Sequence, residues 1–395
     1  MIQSVGIDAK VEQAVGSRYA LAAQEPAPGL CCPTEYDPVL LAIIPPAVLQ
    51  RDYGCGNPTK YLRERETVLD LGCGAGKICF LAAQVVGRKG FVIGVDMNAQ
   101  MLAIARESAA LVAEQLGYAN VSFCKGRIQD LALDLELLDA WLTEHPVSSS
   151  ADLVGLEAAV ERLRSERPLV ESGSVDVVIS NCVLNLVAPA ERTRLFREIV
   201  RVLRPGGRAV ISDIVASSDV PEAWREDPEL WSGCISGAWR EDLFVQEFQQ
   251  AGMYGTTIVE RPVAPWRIID GIEFRSVTVV AYKPASQQCC TAENYEVMYR
   301  GPFCSAVDED GHVLPRGKRV AVCRRTYEQF GREPYRAHVE LIPPPSPPSD
   351  GESPPAPSNM GPRRRDQASW NRGSEAEIPA ATPATCPGPS GKCCG

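Results

Sequence analysis

The sequence predicts an α/β fold: a doubly wound sheet, followed by a small α+β region and a disordered Pro-rich tail. Three observations lead there. Apolar strand-like runs alternate with amphipathic helical runs from residue 67 onward, and a glycine-rich turn joins the first strand to the first helix. After about residue 340 the composition shifts to Pro and Ser. Taken in order, residues 1–30 are weakly patterned with room for one helix, and prolines cut 31–66 into short pieces. "TVLDLG" reads as a buried strand and "GKICFLAAQVVG" as the following helix, closed by Gly87. "GFVIGVDM" is a second strand, and the helix after it has Asn98 as its N-cap. "VSFCKGRI" is a third strand, and 130–172 is a charged helical stretch. "SVDVVISNCVL" is a fourth strand, "AERTRLFREIVRVLRPGG" an amphipathic helix ended by Pro205 and two glycines, and "RAVISDIV" a fifth strand. Residues 256–283 read as further strands, and 287–325 as a short cysteine-bearing β-rich unit.

The chain of 395 residues has ample apolar content for a core. A net charge of −10 and a pI near 5.1 argue against nucleic acid as the main partner. The N-terminus lacks the basic-then-apolar layout of a signal peptide, and no run approaches the roughly 18 apolar residues of a membrane helix. The expectation is a soluble, cytoplasmic protein with no membrane partner. Fifteen cysteines stand against three histidines, an odd count that speaks against a disulfide framework. No C-x-x-C occurs, so the usual zinc spacing is missing.

"VLDLGCGAGK" places glycines where a turn needs unusual dihedrals and where backbone must approach a ligand. The motif is G-x-G-x-G over Gly72, Gly74 and Gly76. It is tighter than the dinucleotide fingerprint, whose last glycine falls here on Lys77, so a nicotinamide cofactor is disfavoured. Asp96 ends the second strand, where a carboxylate accepts both hydroxyls of a ribose. Met97 is placed to pack on an adenine, and Gly126–Ile128 to close the far side of its slot. Cys73 inside the loop reads as a small buried side chain without chemistry.

Three other cysteines sit where a site at the top of the sheet needs them. Cys55 lies in "YGCGNP" before the first strand, Cys182 in "SNCVLNL" at the end of the fourth, and Cys234 in "LWSGCISGA" after the fifth. Three converging thiolates suit a soft centre, and a lone-pair-bearing ion such as trivalent arsenic takes three ligands where structural zinc takes four. Spacing alone leaves open that all three are core residues.

The glycine loop, the "GVD" about twenty residues later and "VLRPGG" before a strand resemble the class I S-adenosylmethionine-dependent methyltransferases over residues 67–215. With "YGCGNP", "SNCVLNL", "SDI", "LWSGCISGAWREDL", "FRSVTVVAYK" and the segment from "CTAENYEVMYRGPFC" onward, the chain resembles the arsenite S-adenosylmethionine methyltransferases over residues 30–330. That resemblance implies a Rossmann-like fold and methylation of arsenite and then methylarsenite, in the service of arsenic detoxification. It implies As(III) held by Cys55, Cys182 and Cys234, and a thiol–disulfide relay using Cys32 or its neighbour Cys31. It further implies a reductant such as thioredoxin or glutathione and a monomeric enzyme. The implied cofactor set is Tyr53, Asp70, Gly72, Gly74, Gly76, Asp96, Met97, Ile128 and Asn181. The organisation expected is an N-terminal helical and loop region with the relay cysteines (1–66), a cofactor domain (67–215) and an arsenic-binding region (216–284). A cysteine-bearing β-rich region (285–340) and a disordered tail (341–395) follow. One departure stands out: relatives carry Gly-Glu-Cys where this chain has Ser232-Gly233-Cys234, so that carboxylate is absent. Cys79 and Cys124 read as core residues, and Cys289, Cys290, Cys304 and Cys323 as packing within the third region. Cys393 and Cys394 have no assigned role. Two rival functions remain at this point: a methyltransferase acting on a quinone or sterol carbon, and a non-enzymatic thiol-rich metalloid-binding protein.

Overall fold

The computed structural model describes residues 2–25, 34–51, 53–285 and 295–343. Cys31, Cys32, Cys289, Cys290, Cys393 and Cys394, and residues 344–395 of the expected tail, lie outside the described residues. The chain divides into two compact units, Met1–Gln287 and Gln288–Gly395. No helix among the described residues is long and apolar enough to cross a membrane.

The first unit opens with helices α1 (Ile2–Gln24), α2 (Pro38–Leu41) and α3 (Pro46–Leu49). Alternation then begins: β1 (Thr67–Leu71), α4 (Lys77–Val86), β2 (Phe91–Asp96), α5 (Ala99–Leu116), β3 (Val121–Lys125), α6 (Leu135–Glu144), α7 (Ser150–Glu166), β4 (Val175–Asn181), α8 (Arg192–Val202) and β5 (Leu203–Ala216). The unit closes with α9 (Pro228–Ser232), β6 (Trp239–Arg240), α10 (Glu241–Gln250), β7 (Tyr254–Glu260), β8 (Arg267–Ile269) and β9 (Ile272–Tyr282). The main sheet has the order β3-β2-β1-β4-β5-β9-β7, with β1 to β5 parallel and β9 antiparallel to both neighbours. Strand period decides the layers. Val68 packs with Phe80, Leu81, Val92 and Met101 on one face, while Leu69 and Leu71 pack with Phe196, Ile199, Phe244 and Phe248 on the other. Helices thus cover both faces of a sheet whose strands are apolar on both sides.

Local chemistry sets the element ends. Asn98 Oδ1 accepts from the N–H groups of Gln100 and Met101 to start α5, and Asp134 and Ser149 cap α6 and α7 in the same way. The helix expected to reach Pro205 stops at Val202, and β5 already begins at Leu203. Pro205 has no N–H to give a helix and disfavours the helical region for Arg204. Segment 216–284 shares the sheet of 67–215, because β9 pairs with β5 from Arg208↔Tyr282 to Ala216↔Phe274. A buried ion pair ties the base of the sheet: Arg208 donates to both Glu66 oxygens, at 2.6 and 2.9 Å, and to the carbonyl of Tyr61.

The second unit contains β10 (Tyr295–Tyr299), β11 (Ser305–Val307), β12 (Val313–Pro315), β13 (Arg319–Val322), α11 (Arg324–Phe330) and β14 (Val339–Ile342). Its three-stranded sheet, β13-β10-β14, is antiparallel and closes over Val297, Tyr299, Val322, Phe330 and Val339. Cys323 is buried here and Cys304 exposed.

Candidate active site

The strand order reverses between β1 and β4, and a doubly wound sheet opens its ligand crevice at the C-terminal ends of such strands. The β1–α4 turn runs through Gly72, Gly74 and Gly76 at φ of +70°, +52° and +90°, a region only glycine enters cheaply. A Cβ on Gly74 would meet nothing within 4 Å, so the loop's backbone faces open space. That space is a cavity of about 360 Å³, within the range of small-molecule sites. Asp70, Met97, Ile128, Tyr53, Asn181 and Cys182 all line it, together with the glycine loop and Asp96. Asp96 Oδ2 accepts from Gly74 N–H and Oδ1 from Asn98 N–H, each at 2.8 Å, which braces the loop and leaves lone pairs toward the cavity. Met97 is 37% exposed and Ile128 buried, an apolar pair suited to a base. Asp70 sits beneath the loop, where burial pushes its carboxyl up to about 7 against the opposing hydrogen bond from Cys79 Sγ at 3.2 Å. These residues fit a nucleoside cofactor. Burial likewise pushes the Cys73 thiol up to about 11, so its sulfur stays protonated near neutral pH. Cys79 is fully buried, while Cys124 is only half-buried.

Two expected cofactor residues also have structural duties. Asn181 Oδ1 accepts from the N–H groups of both Cys55 and Gly56 at 2.9 Å, and its Nδ2 donates to the Gly56 carbonyl at 2.9 Å. Asn181 thereby pins the Cys55 loop to the end of β4. Tyr53 donates to the Ala22 carbonyl at 3.1 Å and meets the Tyr19 ring edge-on, with centroids 5.9 Å apart.

The three motif cysteines come together. Cys55, Cys182 and Cys234 are each at most 5% exposed and share one cluster with Ile214, Ala216, Ile235 and Phe274. The Cys182 thiol interacts with both the others, and Cys234 Sγ also faces the Cys182 carbonyl at 3.5 Å. Among the described residues the ligand atoms that all lie within 4.8 Å of one another are those of Cys182, Cys234 and Asp213, and Cys55 joins them through Cys182. Among the described residues, four non-glycine positions have positive φ, and two of them are Cys182 (65°) and Cys234 (59°). Each such position costs about 1–2 kcal/mol, a strain that concentrates at functional sites. Cys234 shows how it is held. The Ile235 N–H returns to the Leu230 carbonyl and the Cys234 N–H to that of Trp231, both at 3.0 Å, closing α9 in a Schellman motif. Cys234 occupies the left-handed position that glycine usually takes. The hydrogen bond with Cys182 and burial push the Cys234 thiol well above its ordinary range. For Cys182 the bond with Cys234 works the other way, but the bond with Cys55 and burial outweigh it and the net shift is also upward.

Sequence reasoning missed Asp213. Its carboxylate lies within 4.8 Å of the Cys182 and Cys234 sulfurs and accepts from Asn185 Nδ2 at 2.7 Å and Ile214 N–H at 2.8 Å. Burial pushes it up to about 7. The available signal was one acid inside the apolar run "AVISDIV". Also missed was that the N-terminal helix α1 lays Glu12, Val15, Gly16 and Tyr19 along the cavity.

A glycine loop after β1, a carboxylate at the end of β2 and a cavity at the sheet's switch point define a class I S-adenosylmethionine-dependent methyltransferase. Residues 62–167 and 155–252 match the family described as a methyltransferase domain, and 286–374 match a domain of unknown function. The arsenite methyltransferase of Aquipseudomonas alcaligenes is 31% identical over 79% of this chain and 84% of its own length. Those of Halobacterium salinarum and Mus musculus are 38% and 34% identical, and there the chain spans only 51% and 43% of the relative's length. The crystal structure of an arsenic(III) S-adenosylmethionine methyltransferase from Chlamydomonas reinhardtii aligns with TM-score 0.50 at 28% identity, covering 79% of this chain and 96% of that one. The chain belongs to the arsenite methyltransferase family.

Proposed function

We propose that the chain transfers methyl groups from S-adenosylmethionine to trivalent arsenic, first arsenite and then methylarsenite, as a detoxification step. The observation that carries this reading is the convergence of Cys55, Cys182 and Cys234 beside the cofactor cavity, which Cys182 also lines. Arsenous acid condenses with three thiols to give a tris-thiolate and three waters. Thiols that hold their protons tightly can take part, since those protons leave as water. A dication would have to drive the same protons into solvent.

S-adenosylmethionine, when bound, supplies an electrophilic methyl group. The residues of the chain would position the partners: Asp96 and the loop of Gly72, Gly74 and Gly76 would hold the nucleoside end, and the three sulfurs would turn the arsenic lone pair toward the methyl carbon. The lone pair becomes the As–C bond as the S–C bond breaks with its electrons on sulfur. No proton moves, so no general base is needed. Arsenic rises formally from As(III) to As(V), and two electrons return it to As(III) as two thiols close a disulfide. Cys55 with Cys32, or with Cys31, is proposed for that relay, reset by thioredoxin or glutathione, in a monomeric cytoplasmic enzyme.

The test incubates the protein with S-adenosylmethionine, thiol and arsenite and looks for methylated arsenic by mass spectrometry. Methylarsenicals are expected. Tight As(III) binding without product would overturn the reaction in favour of a metalloid sink. Neither binding nor product would point to a carbon methyltransferase.

A further inference from the structure

We propose that one face of α1 is the roof of the S-adenosylmethionine site, with Gly16 leaving the room the cofactor needs and Glu12 holding the roof to Arg127 of the cavity wall. The inference rests on the reading of the cavity as the cofactor site. Residues 12, 15, 16 and 19 fall at i, i+3, i+4 and i+7, so they form a single helical stripe, and all four line the cavity. The same cavity is lined by the glycine loop, Asp96 and Met97.

Gly16 has no local reason to be glycine. It sits inside a 23-residue helix, where glycine is less favourable than alanine. A Cβ there would meet nothing within 4 Å beyond the helix itself, so packing does not exclude a side chain. What a side chain would enter is the cavity. One turn earlier, Glu12 pairs through Oε2 with Arg127, while its Oε1 is buried with no hydrogen-bond partner. Glu12 thereby ties this face of the helix to the Gly126–Ile128 segment of the cavity wall.

The roof is fastened to the parts of the floor that read the nucleoside. Arg127 lies between Gly126 and Ile128, and Asn98 Nδ2 donates to the Gly16 carbonyl at 3.4 Å from its place two residues after Asp96. At the other end Arg18 donates to Ser232 Oγ at 2.5 Å and to the Glu229 carbonyl at 2.8 Å, on the helix that precedes Cys234. The same helix therefore spans the cofactor cavity and the thiol cluster.

The test is calorimetric binding of S-adenosylhomocysteine to the full chain. Gly16→Leu is expected to weaken it at least tenfold and Glu12→Ala, which unties the roof from Arg127, about threefold, with KM for S-adenosylmethionine rising in step and As(III) stoichiometry unchanged. The thermal midpoint of ligand-free Gly16→Leu should not fall. Wild-type affinity in Gly16→Leu would overturn the proposal. Hydrogen exchange on the wild type needs no variant: S-adenosylhomocysteine should slow the amides of residues 12–20, and unchanged exchange there would count against the roof. A wild type that binds no S-adenosylhomocysteine at all would overturn the cofactor reading itself.

Discussion

The Gly-Cys-Gly triplets at 54–56 and 72–74 have the same letters and opposite physical reasons for them. Gly54 and Gly56 have ordinary φ, but their backbones are pressed against partners: a Cβ on Gly54 would strike the Asn181 amide, and one on Gly56 would lie 2.5 Å from Ser212 Oγ. These glycines let a loop be buttoned onto the end of β4 and the side of β5 so that Cys55 reaches Cys182. Gly72 and Gly74 are required by positive φ, and Gly74 has open space before it. In the first triplet glycine serves a sulfur, and in the second it serves a ligand cradled by backbone. A glycine's purpose is thus read from what its missing Cβ would touch, which the residue string does not display.

The comparison breaks most sharply at the sulfurs. Cys182→Ser and Cys234→Ser should each lower methylation of both arsenite and methylarsenite by about a hundredfold or more, because the metalloid is no longer aimed at the methyl. Cys55→Ser should spare the methylarsenite step more than the first, and product analysis by mass spectrometry with each substrate decides. Retention of both activities in Cys182→Ser would remove the three-thiol site. The glycines should then separate in a crossed pattern. Gly56→Ala forces a methyl into Ser212, which costs about 1–3 kcal/mol by overpacking, and should weaken As(III) binding while S-adenosylhomocysteine still binds. Gly74→Ala should cost about 1 kcal/mol from its dihedral and show its main effect as lost S-adenosylhomocysteine affinity. Chemical denaturation paired with the two binding assays measures both halves, and identical profiles would erase the distinction.

The cofactor half was legible in the sequence because it is local. Strand, glycine turn, helix and terminal carboxylate lie within 67–96, and each is set by its neighbours. The thiol half was legible only as residue types, since convergence of positions 55, 182 and 234 needs the parallel order of β1, β4 and β5. The left-handed backbone at Cys234 left no trace, because the residue type there is the one a Schellman cap would not choose. Asp213 was hidden for the converse reason: a central strand normally excludes an unpaired acid, and its Asn185 partner is supplied from a distant turn. The α1 stripe escaped because its apolar periodicity is weak. The chain stretch after α1 is also broken by prolines.

A pH experiment probes the floor of the second triplet. The Asp70 carboxyl is raised from 3.8 to about 7 in the folded chain, chiefly by burial. Between those values the native state binds more protons than the unfolded one, so stability falls as pH rises from about 4 to about 7 and is level above. Asp70→Asn removes this slope. Measured without ligand, the variant should gain on wild type by about 3 kcal/mol between pH 4.5 and 8. A parallel offset at every pH would show that Asp70 is not held protonated.

The smallest effect belongs to Cys73 itself. Its sulfur lies beside that of Cys79, close enough that a Cβ on Gly94 would meet both, at 2.9 and 2.8 Å. Removing it therefore loses packing in one small pocket, and Cys73→Ala should cost about 1 kcal/mol. S-adenosylhomocysteine affinity should change by less than about threefold, because the loop presents backbone to the cavity and its φ values rest on the glycines. As(III) stoichiometry, measured by mass spectrometry of the washed protein, should not change at all. A lost equivalent of arsenic in this variant would mean that the second triplet also works through its sulfur, and the two identical strings would then have to be read alike.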